Sequence, residues 1–144
     1  MNQQIKVLLG DDNPFSRNGL RALLETCPYL ELIGVAHDGE HALTLVQEHT
    51  PDVVLLDVKM PKINGLQAAR RIKLRWPEVR VILISMYSGY QPSALEAGAD
   101  YFFLKGAPSS QLMEAILGPS NGKDCLDQRV KQGGEDGIRG ETNL

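Results

Sequence analysis

The sequence predicts an α/β domain in which helices cover both faces of a parallel β-sheet. Five short apolar runs alternate along the chain with five amphipathic segments, the order expected of repeated βα units. The runs VVLL and VILI lack alternating polar residues, which is typical of strands buried on both faces. The 144 residues are 42% hydrophobic and 23% charged, which suits one domain with its own core.

The first strand is predicted over residues 5–9, where Lys6 alone interrupts an apolar run that ends in Gly-Asp-Asp. Asn13 and Pro14 then begin the first helix, with Asn as its N-cap and Pro at the first helical position. The residues predicted for its buried face follow helical spacing: Leu20, Leu23, Leu24 and Cys27. Pro28 ends this segment.

The second strand is predicted over residues 30–36, and Asp38-Gly39 begins the second helix. Thr50-Pro51 ends that helix, and the third strand follows at residues 53–56, closed by Asp57. The residues predicted to share one face of the second helix are Ala42, Leu45, Val46 and His49, and His49 is interpreted as a residue at the helix end.

Asn64 is predicted to cap the third helix, with Leu66, Ala69, Ile72 and Trp76 on its inner face. Its basic residues would form a solvated outer face: Arg70, Arg71, Lys73 and Arg75. The remaining predicted elements are a strand at 79–84 ending at Ser85, a helical piece at 93–97, a strand at 101–104 and a helix at 111–117.

Bulk properties exclude several classes of protein. The net charge of −3 argues against a nucleic-acid-binding surface. No apolar run approaches the roughly 18–20 residues that a membrane span requires. Cys27 and Cys125 have no metal-binding spacing and form no disulfide framework, so we expect free thiols and a cytoplasmic location.

Residues 118–144 differ in character from the rest of the chain. They contain six glycines and few bulky apolar side chains. We expect a flexible tail that is not a second domain and holds no helix-turn-helix module, so that this chain would not bind DNA.

Polar residues that can carry chemistry follow four of the predicted strands. Asp11 and Asp12 follow the first strand, Asp57 the third, Ser85 the fourth and Lys105 the fifth. In open parallel sheets ligands bind at the carboxyl ends of the strands, so one shared site is predicted. Clustered carboxylates repel by roughly 4 kcal/mol per pair at about 4 Å, and Mg²⁺ relieves this repulsion.

This set fits phosphoryl transfer to a carboxylate, with Asp57 as nucleophile, a metal, a cation at Lys105 and a hydroxyl donor at Ser85. Taken singly, each residue has a structural explanation, since an Asp-Asp pair after a strand is most often a cap or turn. His37 and His41 lie four residues apart, but Asp38-Gly39 falls between them, so no metal role is predicted for them.

At these positions the sequence resembles the receiver domains of bacterial two-component response regulators. The resemblance covers residues 5–117 and includes DD at 11 and 12, LLDVKMPKING from Leu55, ISM at the end of strand four and GADYFFLK from Gly98. The phrases GLRALL and PDVVLLDVKMP resemble the subgroup that is usually fused to a helix-turn-helix output domain.

The resemblance implies a receiver (phosphoacceptor) domain over residues 1–117 with a flavodoxin-like (CheY-like), doubly wound sheet in the order 2-1-3-4-5. It implies that Asp57 accepts phosphate from a histidine kinase or phosphotransfer protein. Mg²⁺ would be bound by Asp12, Asp57 and the backbone carbonyl of Lys59, with Asp11 acting through a water. Ser85 and Lys105 would hold the phosphoryl oxygens.

By the same resemblance, Phe102 would be the switch aromatic, and the face of helix four, strand five and helix five would change its protein contacts. A homodimer is one possible assembly, and the downstream protein is unknown. Such a domain is not an enzyme, because it catalyses only its own phosphorylation and dephosphorylation.

Departures from the family pattern are Gly106 after Lys105, Phe102 in place of tyrosine, a shortened helix four near Gly89 and Pro92, and the missing output domain. Three alternatives remain. A phosphatase of the haloacid dehalogenase type needs a second Asp where Lys59 stands, and dinucleotide binding needs a glycine-rich loop after strand one. An interaction domain that keeps the site as a relic is the third.

Overall fold

The computed structural model describes residues 4–118 of the chain. The strands are β1 (Ile5–Gly10), β2 (Leu30–Ala36), β3 (Val53–Asp57), β4 (Arg80–Ser85) and β5 (Tyr101–Leu104). The helices are α1 (Pro14–Glu25), α2 (Gly39–His49), α3 (Gly65–Arg75), α4 (Gln91–Glu96) and α5 (Ser109–Leu117). The sheet and α1–α4 form one compact unit that ends at residue 105, and α5 belongs to a second unit that begins at residue 106.

All five strands are parallel and lie in the order β2-β1-β3-β4-β5. The flavodoxin-like order that the resemblance implies is therefore confirmed. Strands β1 and β3 are neighbours although β2 separates them in sequence. From this pair the sheet is extended in one direction by β2 and in the other direction by β4 and β5. Such a switch point opens a crevice at the carboxyl ends of the strands.

The central strands β1, β3 and β4 are buried on both faces, as the uninterrupted apolar runs predict, whereas the edge strands β2 and β5 are more exposed. One core cluster joins alternate strand residues to the inner faces of α2 and α3, and it includes Leu8, Val54, Leu56, Val81, Leu83, Ala42, Val46, Ala69 and Ile72. The intervening strand residues, such as Leu9 and Leu55, are equally inaccessible although they point to the opposite face. Helix α1, with buried Leu24, lies against β1 and β2.

Helix starts agree well with the predicted caps. Asn13 accepts hydrogen bonds from the backbone at Phe15 and Ser16, and Asp38 accepts one from His41. The Asn64 cap is completed by the side chain of Gln67, which bonds back to the Asn64 backbone.

The predicted helices differ from the structure in some details. His49 is exposed and is the last residue of α2, which confirms its interpretation as a helix-end residue, and Thr50 turns into the left-handed region at φ 47°. Leu66 and Trp76 are only partly buried, whereas Ala68 is fully buried on the inner face of α3. Helix α4 begins before residue 93, because Pro92 occupies the first turn of the helix, where proline needs no hydrogen-bonded N–H.

The expectation of a free thiol at Cys27 is also wrong. Cys27 is 3% exposed, in agreement with its predicted place in the core, but it is disulfide-bonded. Cys125 and the predicted tail at 119–144 lie outside the described residues. Within residues 4–118 no helix combines the length and the apolar character that a membrane crossing demands.

Candidate functional site

Three aspartates meet at the switch point between β1 and β3. Gly10 at the end of β1 pairs with Leu56 of β3, so Asp11 and Asp12 follow one strand next to the point where Asp57 ends the other. Single carboxylate oxygens from the three residues all lie within 4.8 Å of one another. Asp11 and Asp57 are 0% and 6% exposed, and Asp12 is exposed to solvent.

Lys105 connects two of these aspartates. It directly follows β5, and its backbone N–H donates to the Ser85 carbonyl oxygen at 2.8 Å, which ties it to the end of β4. Its Nζ donates to Asp57 Oδ2 at 2.9 Å and to Asp11 Oδ2 at 3.2 Å. The structure therefore brings together Asp11, Asp12, Asp57 and Lys105, four of the residues that the strand ends predict.

The ionisation of this cluster follows from burial and from charge. Burial raises the pKa of Asp57 above its ordinary value; the Lys105 hydrogen bond and charge oppose the rise, and the charge of Asp11 adds to it. Burial pulls the pKa of Lys105 down, but Asp57 and then Asp11 outweigh burial and leave that pKa raised. The ammonium therefore stays protonated at neutral pH and offsets the repulsion between the two buried carboxylates.

Asp11 is held by the start of α1 in a way that sequence reasoning missed. Its Oδ1 accepts from the backbone N–H of Asn13 at 2.9 Å, and its Oδ2 accepts from Ser16 Oγ at 2.6 Å. Arg17 Nη1 donates to the Asp11 carbonyl oxygen at 3.0 Å. A hydroxyl in the first turn of a helix that begins three residues after an acidic strand end is the signal that could have revealed Ser16.

Ser85 and Phe102 lie on β4 and β5 near this edge of the sheet. Ser85 is fully buried, and its Oγ accepts from the backbone N–H of Tyr87 at 3.0 Å. Phe102 pairs with Leu83 of β4 and packs, partly buried, against the core cluster of α2 and α3. Tyr101 is 45% exposed, and its ring stacks on that of Phe103.

A cleft of about 460 Å³ opens beside the aspartates. Its lining includes Asp12, Lys59, Met60, Asn64 and Tyr90. The backbone N–H of Lys59 lies 3.4 Å from Asp57 Oδ1, so the backbone after β3 borders the carboxylate.

These groups fit Mg²⁺, because the ion prefers oxygen ligands, takes one or two carboxylates and keeps several waters. Asp12 supports this fit, since it has no hydrogen-bond or ion-pair partner within residues 4–118 and faces the cleft. His37 and His41 stack on each other at 5.9 Å around the start of α2 and are not members of the cluster.

A doubly wound parallel sheet with a carboxylate cluster at its switch point defines an α/β protein of the CheY-like class. The sequence matches the family described as response regulator receiver domain over residues 7–117. The chain therefore belongs to the receiver domains of two-component response regulators.

Individual relatives agree with this assignment. The chain is 35% identical to the transcriptional regulatory protein DegU of Brevibacillus brevis, over 90% of this chain and 58% of the relative. The signal receiver domain of the NarL regulator of Mycobacterium tuberculosis superposes with a TM-score of 0.75 at 34% identity, over 87% of this chain and 98% of that one.

A third relative is a solved complex of CheX and CheY with BeF3 and magnesium from Borrelia burgdorferi. It matches with a TM-score of 0.72 at 27% identity, over 80% of this chain and 88% of that chain. The chain thus spans nearly the whole of solved receiver domains but little more than half the length of the curated regulator DegU.

Proposed function

We propose that this chain is a phosphorylation-controlled receiver in a two-component phosphorelay and that Asp57 accepts the phosphoryl group. A carboxylate oxygen of Asp57 attacks phosphorus, the bond from phosphorus to the donor breaks, and the donor leaves with the bonding electrons. The donor is a phosphohistidine of a histidine kinase or phosphotransfer protein. The observation that carries this proposal is Asp57 itself, nearly buried at a strand end, 2.9 Å from an ammonium and beside two further carboxylates.

Asp12, Asp57 and the backbone carbonyl of Lys59 are proposed to hold Mg²⁺ directly, with Asp11 acting through a water. Bound Mg²⁺ would supply positive charge to the transferring phosphoryl oxygens. Both oxygens of Asp11 already accept hydrogen bonds, Oδ1 from the Asn13 backbone N–H and Oδ2 from Ser16 and Lys105, which supports an indirect role. Asp12 is exposed, and its carboxylate is available to the ion.

Ser85 and Lys105 are proposed to hold the phosphoryl oxygens once the group is attached. Ser85 Oγ accepts from the Tyr87 backbone, which leaves its own proton free for donation. The Lys105 ammonium can move from the Asp57 carboxylate oxygen to an oxygen of the attached phosphoryl group. An inward shift of Ser85 would then release Phe102, and the surfaces of α4, β5 and α5 would change their protein contacts.

The wider role is part of the same proposal. The chain acts in the cytoplasm, its only chemistry is on itself, and it signals through protein contacts, with a homodimer as one possible assembly. The proposed receiver domain ends at residue 117, and the proposal does not include binding of nucleic acid by this domain. Lys59 stands where a haloacid dehalogenase needs its second Asp, which disfavours the phosphatase alternative.

The first test is chemical. Incubated with Mg²⁺ and acetyl phosphate, the protein should gain one phosphoryl group that is stable to acid and labile to base, as an acyl phosphate is. Intact-mass measurement gives the stoichiometry, and reduction of the acyl phosphate followed by peptide mapping gives the position. A label that maps to Ser85, or no label at all, contradicts the proposal.

A second prediction concerns the metal. Asp12→Ala should weaken Mg²⁺ binding at least tenfold and slow phosphorylation, because the exposed carboxylate is lost while Asp11 remains held by Ser16 and Lys105. Calorimetric titration of the unphosphorylated protein with MgCl₂ measures the change. His37→Ala and His41→Ala serve as controls and should bind as the unmodified protein does. Undiminished affinity in the Asp12→Ala variant would rule out this ligand set.

A further inference from the structure

Helix α3 carries a concentration of positive charge that the phosphorylation site does not use. The helix contains three arginines and one lysine and no acidic residue. The ammonium of Lys73 is engaged by Asp100 at 2.9 Å and by two backbone carbonyl oxygens. Arg71 and Arg75 are exposed, and within residues 4–118 neither has an acidic partner. Their charges are therefore available to a second molecule.

These arginines border an apolar groove between α2 and α3. The groove has a volume of about 420 Å³, and its lining includes Leu43, Gln47, Arg71, Leu74, Arg75 and Trp76. Leu74 is 79% exposed, so its apolar side chain is not needed for core packing and is available for contact with a partner. The guanidinium of Arg75 lies 4.9 Å from the centre of the Trp76 ring, which holds both side chains at one rim.

We propose that this groove is a docking site for an acidic amphipathic helix of another protein. The apolar face of such a helix would cover Leu74 and Leu43, and its carboxylates would meet Arg71 and Arg75, whose fork-shaped guanidiniums suit carboxylate pairing. Among the described residues, the groove lining contains no acidic side chain that would oppose an anionic partner.

Charge complementarity favours this occupant over two others. A second copy of the chain docked about a two-fold axis would bring the same arginines against each other, which is repulsive. Nucleic acid needs many phosphate contacts, whereas this groove presents two arginines beside the exposed Leu74 on a protein of net charge −3.

The groove lies away from the phosphorylated end of the sheet. Helix α3 runs from Gly65, next to the end of β3, back to Arg75, which a short turn connects to the start of β4 at Arg80. The parallel strands all run toward the end of the sheet where Asp57 lies, so the Arg71–Trp76 segment lies near the opposite end, where the strands begin. Docking is therefore independent of phosphate on Asp57 and would hold a partner in both signalling states.

The test uses a fluorescent helical peptide with leucines at i, i+3, i+4 and i+7 and glutamates between them. It is titrated with the full chain and followed by anisotropy. Binding should weaken about tenfold or more in Leu74→Ala and in the double variant Arg71→Glu/Arg75→Glu. Arg70→Glu is the matched control, since Arg70 is an exposed arginine of the same helix outside the groove lining, and it should bind within about twofold of the unmodified protein.

Two further comparisons complete the test. A peptide with lysine in place of every glutamate should not bind, and Asp57→Asn should bind like the unmodified chain, so failure of phosphorylation and failure of docking are separable. The proposal is overturned if the acidic peptide does not bind, if the lysine peptide binds equally, or if Arg70→Glu loses as much affinity as the double variant. It is also overturned if sedimentation shows a dimer that Leu74→Ala dissociates, because the groove would then hold a second copy.

Discussion

Asp57→Asn should abolish phosphorylation by acetyl phosphate entirely while leaving the protein folded. An amide has the shape of the carboxylate and can still accept the 2.9 Å hydrogen bond from Lys105, but it is not a nucleophile toward phosphorus. Intact-mass spectra of variant and unmodified protein, recorded after equal incubation with Mg²⁺, give the comparison. Residual label in the variant would assign the nucleophile to another residue, with Ser85 the first to examine.

Asp52→Asn is the matched control for this substitution. Asp52 is an exposed aspartate that precedes β3, at the end of the strand opposite to Asp57. Its Oδ2 accepts a hydrogen bond from the Lys6 backbone N–H at 2.8 Å. An asparagine keeps that acceptor, so the control should be labelled at the unmodified rate. Equal loss of label in both variants would mean that folding, and not the nucleophile, is being measured.

Gly65→Ala should destabilise the protein strongly, although it adds a single methyl group. A Cβ at position 65 would clash with the Asp57 carbonyl oxygen and lie 2.8 Å from the Val58 Cα, both backbone atoms that no rotamer change can move. The junction of β3 and α3 must shift, and we expect a loss of about 3 kcal/mol or more in the free energy of unfolding. Thermal unfolding should show the midpoint lowered by roughly 10 °C.

The displaced backbone carries Asp57, so the same variant should also be phosphorylated more slowly at temperatures where it is still folded.

Gly19→Ala is the control, for which we expect a change in stability of the opposite sign. Position 19 is in α1, and nothing lies within 4 Å of a Cβ built there. Alanine in an exposed helix interior should stabilise the protein by about 0.5–1 kcal/mol. Equal midpoints for the two variants would show that the contact with Asp57 does not constrain the junction.

The sequence predicts the sheet because strands buried on both faces need unbroken apolar runs, and such runs are visible without any tertiary information. It also predicts the cluster at the strand ends, since Asp11, Asp57 and Lys105 each directly follow or close a strand. Helix ends are predicted less well. Pro92 suggests a break but occupies the first turn of α4, and α5 begins at Ser109, two residues before the predicted start.

The spacing of residues along the sequence does not predict the contacts between helices and strands. The bonds from Asn13 and Ser16 to Asp11 depend on the angle at which α1 leaves β1, which no periodicity encodes. The groove beside Leu74 likewise depends on how α2 and α3 pack, so the basic run of α3 indicates only a solvated face until the helices are placed.

The Lys105 bridge fixes the charge balance at the carboxyl edge of the sheet. Three carboxyl groups and one ammonium have a formal charge of −2, which the single divalent cation of the proposed function would neutralise. Under the proposed function, phosphorylation would replace one carboxylate by a group carrying about two negative charges, so the metal-loaded site would pass from neutral to anionic. We therefore expect the signal to include a change in local electrostatic potential within a Debye length of about 8–10 Å, which would favour partners that bring cationic side chains to these strand ends.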